Sequence, residues 1–172
     1  GFYPAEFAET PWVFEPVGGG WLVRVAPRRD LPAGFTPLEV AFDNGVTLIG
    51  ADLSGASLPA GEAFHVRLAW RVERAGLGDV SSFTHFTLPD GTVLSAYDRL
   101  LPLSTASAGD VLIKQYTLGI SPDTAPGEGY RLLAGLYDAA GSYTADGEAR
   151  PDVAALAVTA PVAAPVTYPP GD

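Results

Sequence analysis

The clearest strand signal in the sequence is Phe64–Glu73, which reads FHVRLAWRVE. Apolar and mostly polar residues alternate along it. This period of two predicts a β-strand with one face in a hydrophobic core and the other in water. The residues predicted to face the core are Phe64, Val66, Leu68, Trp70 and Val72, and those predicted to face water are His65, Arg67, Ala69, Arg71 and Glu73.

Similar short segments lie on both sides of this strand, separated by turn sequences. Asp-Asn-Gly at 43–45 predicts a hairpin, because Asn and Gly tolerate positive φ, and 59–62 and 89–91 predict further turns. No window of about 11 residues or more has helical apolar spacing, so we predict no long helix. The predicted strands are 21–26, 38–42, 46–50, 64–73, 81–88, 93–98, 112–118, 130–137 and 153–158, with a long crossing loop over 100–110.

These short strands with one-sided apolar faces predict an all-β fold, a two-sheet antiparallel sandwich. A closed barrel is the competing architecture. The proline-rich turn before Tyr130 resembles a tyrosine corner, in which the tyrosine hydroxyl bonds to backbone upstream. This feature favours an immunoglobulin-like sandwich with Greek-key connections.

Length and charge limit the function. The chain has 172 residues, enough for one core, and 10 basic against 20 acidic residues give a net charge of −10. Because Lys114 is the single lysine, no basic stripe is available for phosphates, which argues against nucleic acid and anionic membranes as partners. No apolar run is long enough to span a bilayer. We predict an apolar N-terminal arm at 1–17, a β-sandwich domain at 18–158 and a Pro-rich tail or linker at 159–172.

Several turn and core motifs between residues 42 and 137 resemble an extracytoplasmic β-sandwich module appended to bacterial membrane glycosyltransferases of the protein-mannosyltransferase type. The resemblance implies an extracytoplasmic setting, secreted or at the cell surface, and a module without catalysis. Because the sequence starts with Gly1, we expect either a processed mature protein or an excised domain. The matching residues are LIGADL at 48–53, Pro59 with Gly61, Leu68 with Trp70, FTHF at 83–86, DG at 90–91, YD at 97–98, GD at 109–110, YTL at 116–118, PGEGY at 126–130 and GLY at 135–137.

Catalytic and metal-binding patterns are weak. His65 and His85, the two histidines, lack the spacing of metal ligands, and we interpret His65 as a solvated strand residue and His85 as a residue at the core edge or sheet surface. No serine has the context of a nucleophile. We therefore predict no enzyme and no cofactor, with calcium held in a loop as the weak exception, by Asp138, Asp146 and Glu148.

Aromatic residues give two further hypotheses. Exposed tyrosines stack on sugar rings in carbohydrate-binding sandwiches, and the candidates are Tyr97, Tyr137 and Tyr143, for which core or corner packing is the alternative. The N-terminal arm either forms the first strands of the domain's own sheet or is donated as a strand to a neighbouring subunit, which would build a filament. The candidate partner-binding residues of the arm are Phe2, Tyr3, Phe7, Trp12 and Phe14.

Taken together, the sequence predicts a non-catalytic extracytoplasmic β-sandwich that works through protein–protein contacts, with copies of itself among its partners, in a cell-surface assembly. The alternative is a carbohydrate-binding accessory module of a cell-envelope glycosyltransferase or hydrolase, whose partner would be a glycan. An enzyme ranks third.

Overall fold

The computed structural model describes residues 28–162 in full and the backbone of two strands before them, 12–17 and 20–25. Strands dominate these residues because alternating apolar side chains are punctuated by Gly, Pro, Asn and Asp turns. The strands are β1 (Trp12–Val17), β2 (Gly20–Val25), β3 (Thr36–Phe42), β4 (Val46–Leu53), β5 (Ser57–Pro59), β6 (Ala63–Val72), β7 (Val80–Thr87), β8 (Val93–Leu101), β9 (Val111–Gly119), β10 (Gly127–Asp138), β11 (Gly141–Ser142) and β12 (Asp152–Thr159).

Two sheets face each other. The four-stranded sheet has the order β3-β4-β6-β9, and the larger sheet has the order β5-β12-β10-β7-β8, with β11 paired to β10. The chain repeatedly crosses from one sheet to the other, as in Greek-key sandwiches. The predicted sandwich is confirmed. One pair departs from the predicted antiparallel arrangement, because β5 runs parallel to β12.

The core lies between the sheets. All five apolar residues predicted to face it from β6 are at most 2% exposed, and Trp70 lies 5.9 Å from Phe42, centroid to centroid. On the opposite sheet Phe86 contacts Phe64 edge-on at 5.7 Å and stacks on Tyr130 at 5.4 Å. Offset and edge-on aromatic contacts of this kind add to the stability that burial provides.

The outer face of β6 differs from the prediction at Ala69. This residue is fully buried, because Phe35, Ile49 and Val111 form a second small apolar cluster with it on the outside of the four-stranded sheet. Leu31 packs against the same cluster. The segment preceding β3 therefore covers part of a face that the alternation alone assigns to water.

The predicted tyrosine corner is present. The Tyr130 hydroxyl donates a 2.6 Å hydrogen bond to the carbonyl oxygen of Ala125, five residues upstream. Tyr130 itself is buried in the core, so this bond fixes the entry of β10 into the larger sheet. The corner thus supports the immunoglobulin-like architecture predicted from the sequence.

The predicted crossing loop at 100–110 is shorter in the structure. Strand β8 continues to Leu101, and a 3₁₀ turn follows at Leu103–Thr105. Both Leu101 and Leu103 are completely buried, so core packing extends the ordered elements beyond the local turn pattern. Nowhere in the described residues does a helix have the length and apolarity needed to cross a membrane.

The N-terminal segment forms a hairpin over its described part. Strands β1 and β2 pair with each other, from Trp12 opposite Val25 to Val17 opposite Gly20, as a separate two-stranded sheet. The predicted boundary at residue 17 therefore falls inside this hairpin. Phe2, Tyr3 and Phe7 lie outside the described residues, and for Trp12 and Phe14 the backbone alone is described, so strand donation by the arm stays a prediction; of the predicted tail, 163–172 also lies outside.

Candidate binding site at one end of the sandwich

A polar pocket of about 650 Å³ lies at one end of the sandwich. The β3–β4 turn contributes Asp43 and Asn44, the β6–β7 loop contributes Arg74, and Leu103 and Tyr143 line it as well. The loops meet because β4 and β6 are antiparallel neighbours with Val46 opposite Val72, which places the residues before β4 beside those after β6. We call this cavity the loop-end pocket.

The β3–β4 turn is rigid. The Asn44 side chain accepts a 3.2 Å hydrogen bond from the backbone N–H of Val46 through Oδ1, a typical Asx arrangement. Gly45 has φ = 86°, and a Cβ atom there would lie 2.8 Å from Arg74 Nε. Glycine therefore satisfies the backbone conformation and lets the arginine lie against the turn. The Arg74 guanidinium donates in turn to the Asn44 carbonyl oxygen at 3.2 Å.

A second set of bonds holds the tyrosine side of the pocket. The Asp43 N–H donates to the Thr144 carbonyl oxygen at 2.9 Å, and the Thr144 hydroxyl donates to Asp43 Oδ2 at 3.0 Å. The Tyr143 hydroxyl donates to Asp138 Oδ2 at 2.5 Å. This bond lowers the pKa of the Asp138 carboxyl and raises the pKa of the Tyr143 hydroxyl. The Tyr143 ring is thus held beside the turn by its own hydroxyl bond to Asp138 and by the bonds of the adjacent Thr144 to Asp43.

The pocket presents both donors and acceptors. Asn44 is 8% exposed, and its Nδ2 is buried at the pocket wall without a hydrogen-bond partner in the described part of the chain. Arg74 is exposed and supplies a charged donor, while Asp43 is an exposed acceptor. Such a set, placed beside an aromatic ring, suits a neutral molecule that carries several hydroxyl groups.

The three predicted sugar-stacking tyrosines do not form one platform. Tyr97 lies on β8, 38% exposed, with the Arg99 guanidinium 4.9 Å above its ring. The Tyr137 hydroxyl donates to Asp98 Oδ2 at 2.9 Å, and its ring lies 6.1 Å from that of Phe83, centroid to centroid. Of the three, Tyr143 alone is among the described residues that line the loop-end pocket.

The two histidines occupy separate outer faces. His65 is exposed on β6, and its Nδ1 lies 3.0 Å from the Thr117 hydroxyl oxygen. His85 is half-buried on β7, its ring 4.6 Å from that of Phe83. Burial, followed by the charge of Arg150, lowers the pKa of His85. The structure places the two side chains as the sequence interpretation describes them.

The weak calcium candidates do not assemble. Asp138 accepts the Tyr143 hydroxyl and the Ala140 N–H, and Glu148 accepts the Arg150 N–H at 2.9 Å. Asp146 occupies a turn with φ = 51°. Over residues 28–162 no three His, Asp or Glu side chains come close enough together to hold a metal ion.

A second, smaller depression of about 230 Å³ lies on the outer face of the four-stranded sheet. It contains His65, Gln115 and the ion pair of Arg67 with Asp52, whose Nη2–Oδ2 distance is 2.5 Å. The guanidinium of Arg67 also lies 5.2 Å from the centroid of the Phe35 ring. The charges of Arg67 and Asp52 are paired with each other and His65 contacts Thr117, so the loop-end pocket is the stronger candidate.

Sequence reasoning missed Asn44 and Arg74 as site residues. The Asp-Asn-Gly turn is visible in the sequence, and so is a second turn that follows β6. Their contact depends on which strands pair and in which register, and that information is not local.

Comparison with known proteins shows no family for this chain. No protein-family model and no curated protein matches the chain. One solved structure to which the chain is similar is described as the crystal structure of the C-terminal domain of Wzt. The two share 20% sequence identity over 75% of this chain and 83% of that one, with a TM-score of 0.49.

Proposed function

We propose that the domain is a non-catalytic binding module that holds a carbohydrate in the loop-end pocket. The observation that carries the proposal is the grouping of a carboxylate, a guanidinium, a buried amide and a tyrosine ring around one cavity. The volume of about 650 Å³ lies within the range of small-molecule sites, roughly 300–1,000 Å³.

The polar groups match the chemistry of a sugar. Each hydroxyl of a pyranose donates one hydrogen bond and accepts others, so a sugar site needs both kinds of partner in fixed positions. Arg74 supplies donors, and Asp43 supplies acceptors. Burying the unpartnered amide of Asn44 costs free energy that a ligand oxygen would recover if it reached Nδ2.

The Tyr143 ring supplies the apolar part of the site. The C–H groups on one face of a pyranose pack favourably on an aromatic ring. Tyr143 is half-buried and held by its bond to Asp138, so little side-chain entropy is lost when a ligand packs on it. The net charge of −10 also favours a neutral ligand over a polyanion.

A role without catalysis is part of the proposal. Asp43 supplies the carboxylate among the described residues that line the pocket, whereas glycoside hydrolysis generally uses a pair of carboxyl groups about 5–9 Å apart. No histidine of the described chain lines it either. These features support binding of a glycan without its hydrolysis.

We propose an extracytoplasmic location for the module. The motifs between residues 42 and 137 that resemble the module of membrane glycosyltransferases support this setting. In such a context the pocket would hold a glycan near the enzyme that makes or uses it. Strand donation by the N-terminal arm, which would build a filament, is a separate proposal; deleting residues 1–17 should abolish assemblies larger than a dimer.

A glycan array probed with the full chain tests the pocket, followed by titration calorimetry with each sugar that binds. Tyr143→Ala should weaken binding at least tenfold, and Tyr143→Phe, which keeps the ring, should weaken it less. Tyr97→Ala is the matched control, because Tyr97 lies outside the pocket. This variant should bind the sugar with the affinity of the wild type. An array without binding, or equal loss from Tyr97→Ala and Tyr143→Ala, would refute the proposal.

A further inference from the structure

Strand β8 is an exposed edge of the larger sheet. In the described part of the chain it pairs with β7 on one side and with no strand on the other. Four of the five exposed large hydrophobic side chains in this part of the chain belong to β8, at 38–60% exposure: Val93, Leu94, Tyr97 and Leu100. An exposed apolar edge is the feature that soluble β-proteins usually protect, because it can pair with another strand.

The charges on β8 do not protect this edge. The Asp98 carboxylate accepts the hydroxyl hydrogen of Tyr137 on β10, so it reaches across the sheet and away from the edge. The Arg99 guanidinium lies over the Tyr97 ring and donates through Nε to the Gln115 carbonyl oxygen on β9 at 3.3 Å. Both charged side chains are therefore engaged within their own chain.

The backbone of β8 is oriented for pairing. The carbonyl oxygens of Tyr97 and Arg99 point toward β7, where they accept bonds from Thr84 Oγ1 at 3.5 Å and Ser82 Oγ at 3.1 Å. Because N–H and C=O groups of successive residues alternate in direction along a strand, those of Ala96, Asp98 and Leu100 point out of the sheet edge.

We propose that β8 pairs antiparallel with β8 of a second copy of this chain, with the two-fold axis at Tyr97. The strand is self-complementary about that residue: Leu94 then lies opposite Leu100 of the second copy, and Ala96 lies opposite Asp98. Ala96 and Asp98, whose backbone groups point outward in the regular part of the strand, become hydrogen-bonded pairs, and no two charged residues of the same sign lie directly opposite.

This register is why a second copy fits better than an unrelated strand. Two-fold pairing requires the same sequence to satisfy both sides of the interface, and β8 has leucine three residues before and three residues after Tyr97. The two larger sheets would become one continuous sheet. The inference concerns the sheet edge and does not depend on ligand binding at the loop-end pocket.

Cross-linking of the full chain tests the register directly, since the chain has no cysteine of its own. In the proposed dimer the two copies of residue 97 form a pair without hydrogen bonds, with Cα atoms about 4.5 Å apart. That distance is compatible with a disulfide. Tyr97→Cys should therefore give a disulfide dimer under mild oxidation.

Leu100→Cys is the control at a more exposed position of the same strand, 60% exposed against 38% for Tyr97. In the proposed dimer the two copies of residue 100 would lie six residues apart along the paired strands, about 20 Å. Leu100→Cys should therefore give no disulfide-linked dimer on oxidation. Equal cross-linking at both positions, or none at either, would refute the register.

Sedimentation velocity from low micromolar to millimolar concentration tests the dimer itself. The wild type should dimerise as concentration rises, and Leu100→Lys should raise the dissociation constant at least tenfold. Val162→Lys, which replaces an exposed apolar residue away from β8, should have no effect. If the wild type stays monomeric, or if deletion of residues 1–17 abolishes the dimer, the proposal is wrong, and the second result would identify the arm as the occupant.

Discussion

Because of the Tyr116 hydroxyl, the free energy of unfolding of the domain should decrease at alkaline pH. Tyr116 is fully buried on β9, and its oxygen lies 2.6 Å from the Ser82 hydroxyl oxygen on β7 of the other sheet. Burial disfavours the phenolate, and it raises the pKa of Tyr116 from 10.0 to about 12. Below pH 10 the hydroxyl is protonated in both the folded and the unfolded chain.

Between pH 10 and pH 12 the unfolded chain loses this proton while the folded chain keeps it. Stability therefore falls as pH rises through this window, because the folded state binds the additional proton. A shift of two pKa units, at about 1.4 kcal/mol each, corresponds to about 3 kcal/mol of lost stability. The loss is complete only above the pKa of the folded state.

Tyr116→Phe isolates this contribution, because the other titrating groups are common to both proteins. At pH 8 the variant should be about 1 kcal/mol less stable, since it lacks one hydrogen bond while Ser82 keeps its bond to the Arg99 carbonyl. Urea unfolding at intervals from pH 8 to pH 12 measures both proteins. Because the folded state is only half titrated at pH 12, the wild type should lose about 2 kcal/mol more than the variant over this range. Parallel stability curves would show that the Tyr116 hydroxyl is not the group responsible.

Two further substitutions test the packing of the larger sheet. Tyr130→Phe removes the corner bond to Ala125 and should cost about 1–2 kcal/mol of unfolding free energy in urea, and an unchanged midpoint would contradict a stabilising corner. Gly135→Ala would place a Cβ atom inside contact distance of the Phe83 ring, and it should cost at least about 2 kcal/mol in thermal or urea unfolding. Gly78→Ala, which meets no atom within 4 Å, is its control and should change stability little.

The strands of this domain could be predicted because apolar and polar residues alternate along them according to which side faces the core and which faces water. Where one face is covered by the opposite sheet and the other by water, as for Trp70 and its neighbours on β6, local sequence is sufficient. Ala69 was assigned wrongly because the residues that cover it, Phe35 among them, come from a segment without regular alternation. A small apolar residue fits either environment, so its pattern is ambiguous.

Strand pairing was less accessible from the sequence than strand position. The parallel pairing of β5 with β12 joins residues about a hundred positions apart, and neither three-residue β5 nor its neighbours carry a signal for it. The tyrosine corner was predictable because Tyr130 and its acceptor Ala125 lie within one turn sequence. Contacts between residues that are close in sequence can be recognised from the sequence, whereas the pairing register of strands that are far apart in sequence must be found in the structure.

The loop-end pocket illustrates the same limit for function. Tyr143 was a candidate because aromatic residues are conspicuous in a loop, but Asn44 and Arg74 have ordinary local contexts. They become site residues when Val46 lies opposite Val72 and the two turns meet. The register between β4 and β6 therefore brings the two turns together, and the candidate site exists because of it.

Binding at the pocket and pairing at β8 depend on different parts of the molecule, and this separates their tests. The pocket is built from turns that are held by Asn44, Arg74 and Asp43, whereas the edge is built from the backbone and outer side chains of β8. Leu100→Lys should therefore leave the affinity for a monovalent sugar unchanged, and Tyr143→Ala should leave the assembly state unchanged. A multivalent glycan would be bound more tightly by a dimer, because two pockets on one particle raise the effective concentration of the second. Loss of this avidity in Leu100→Lys, with monovalent affinity intact, would link the two surfaces in one function.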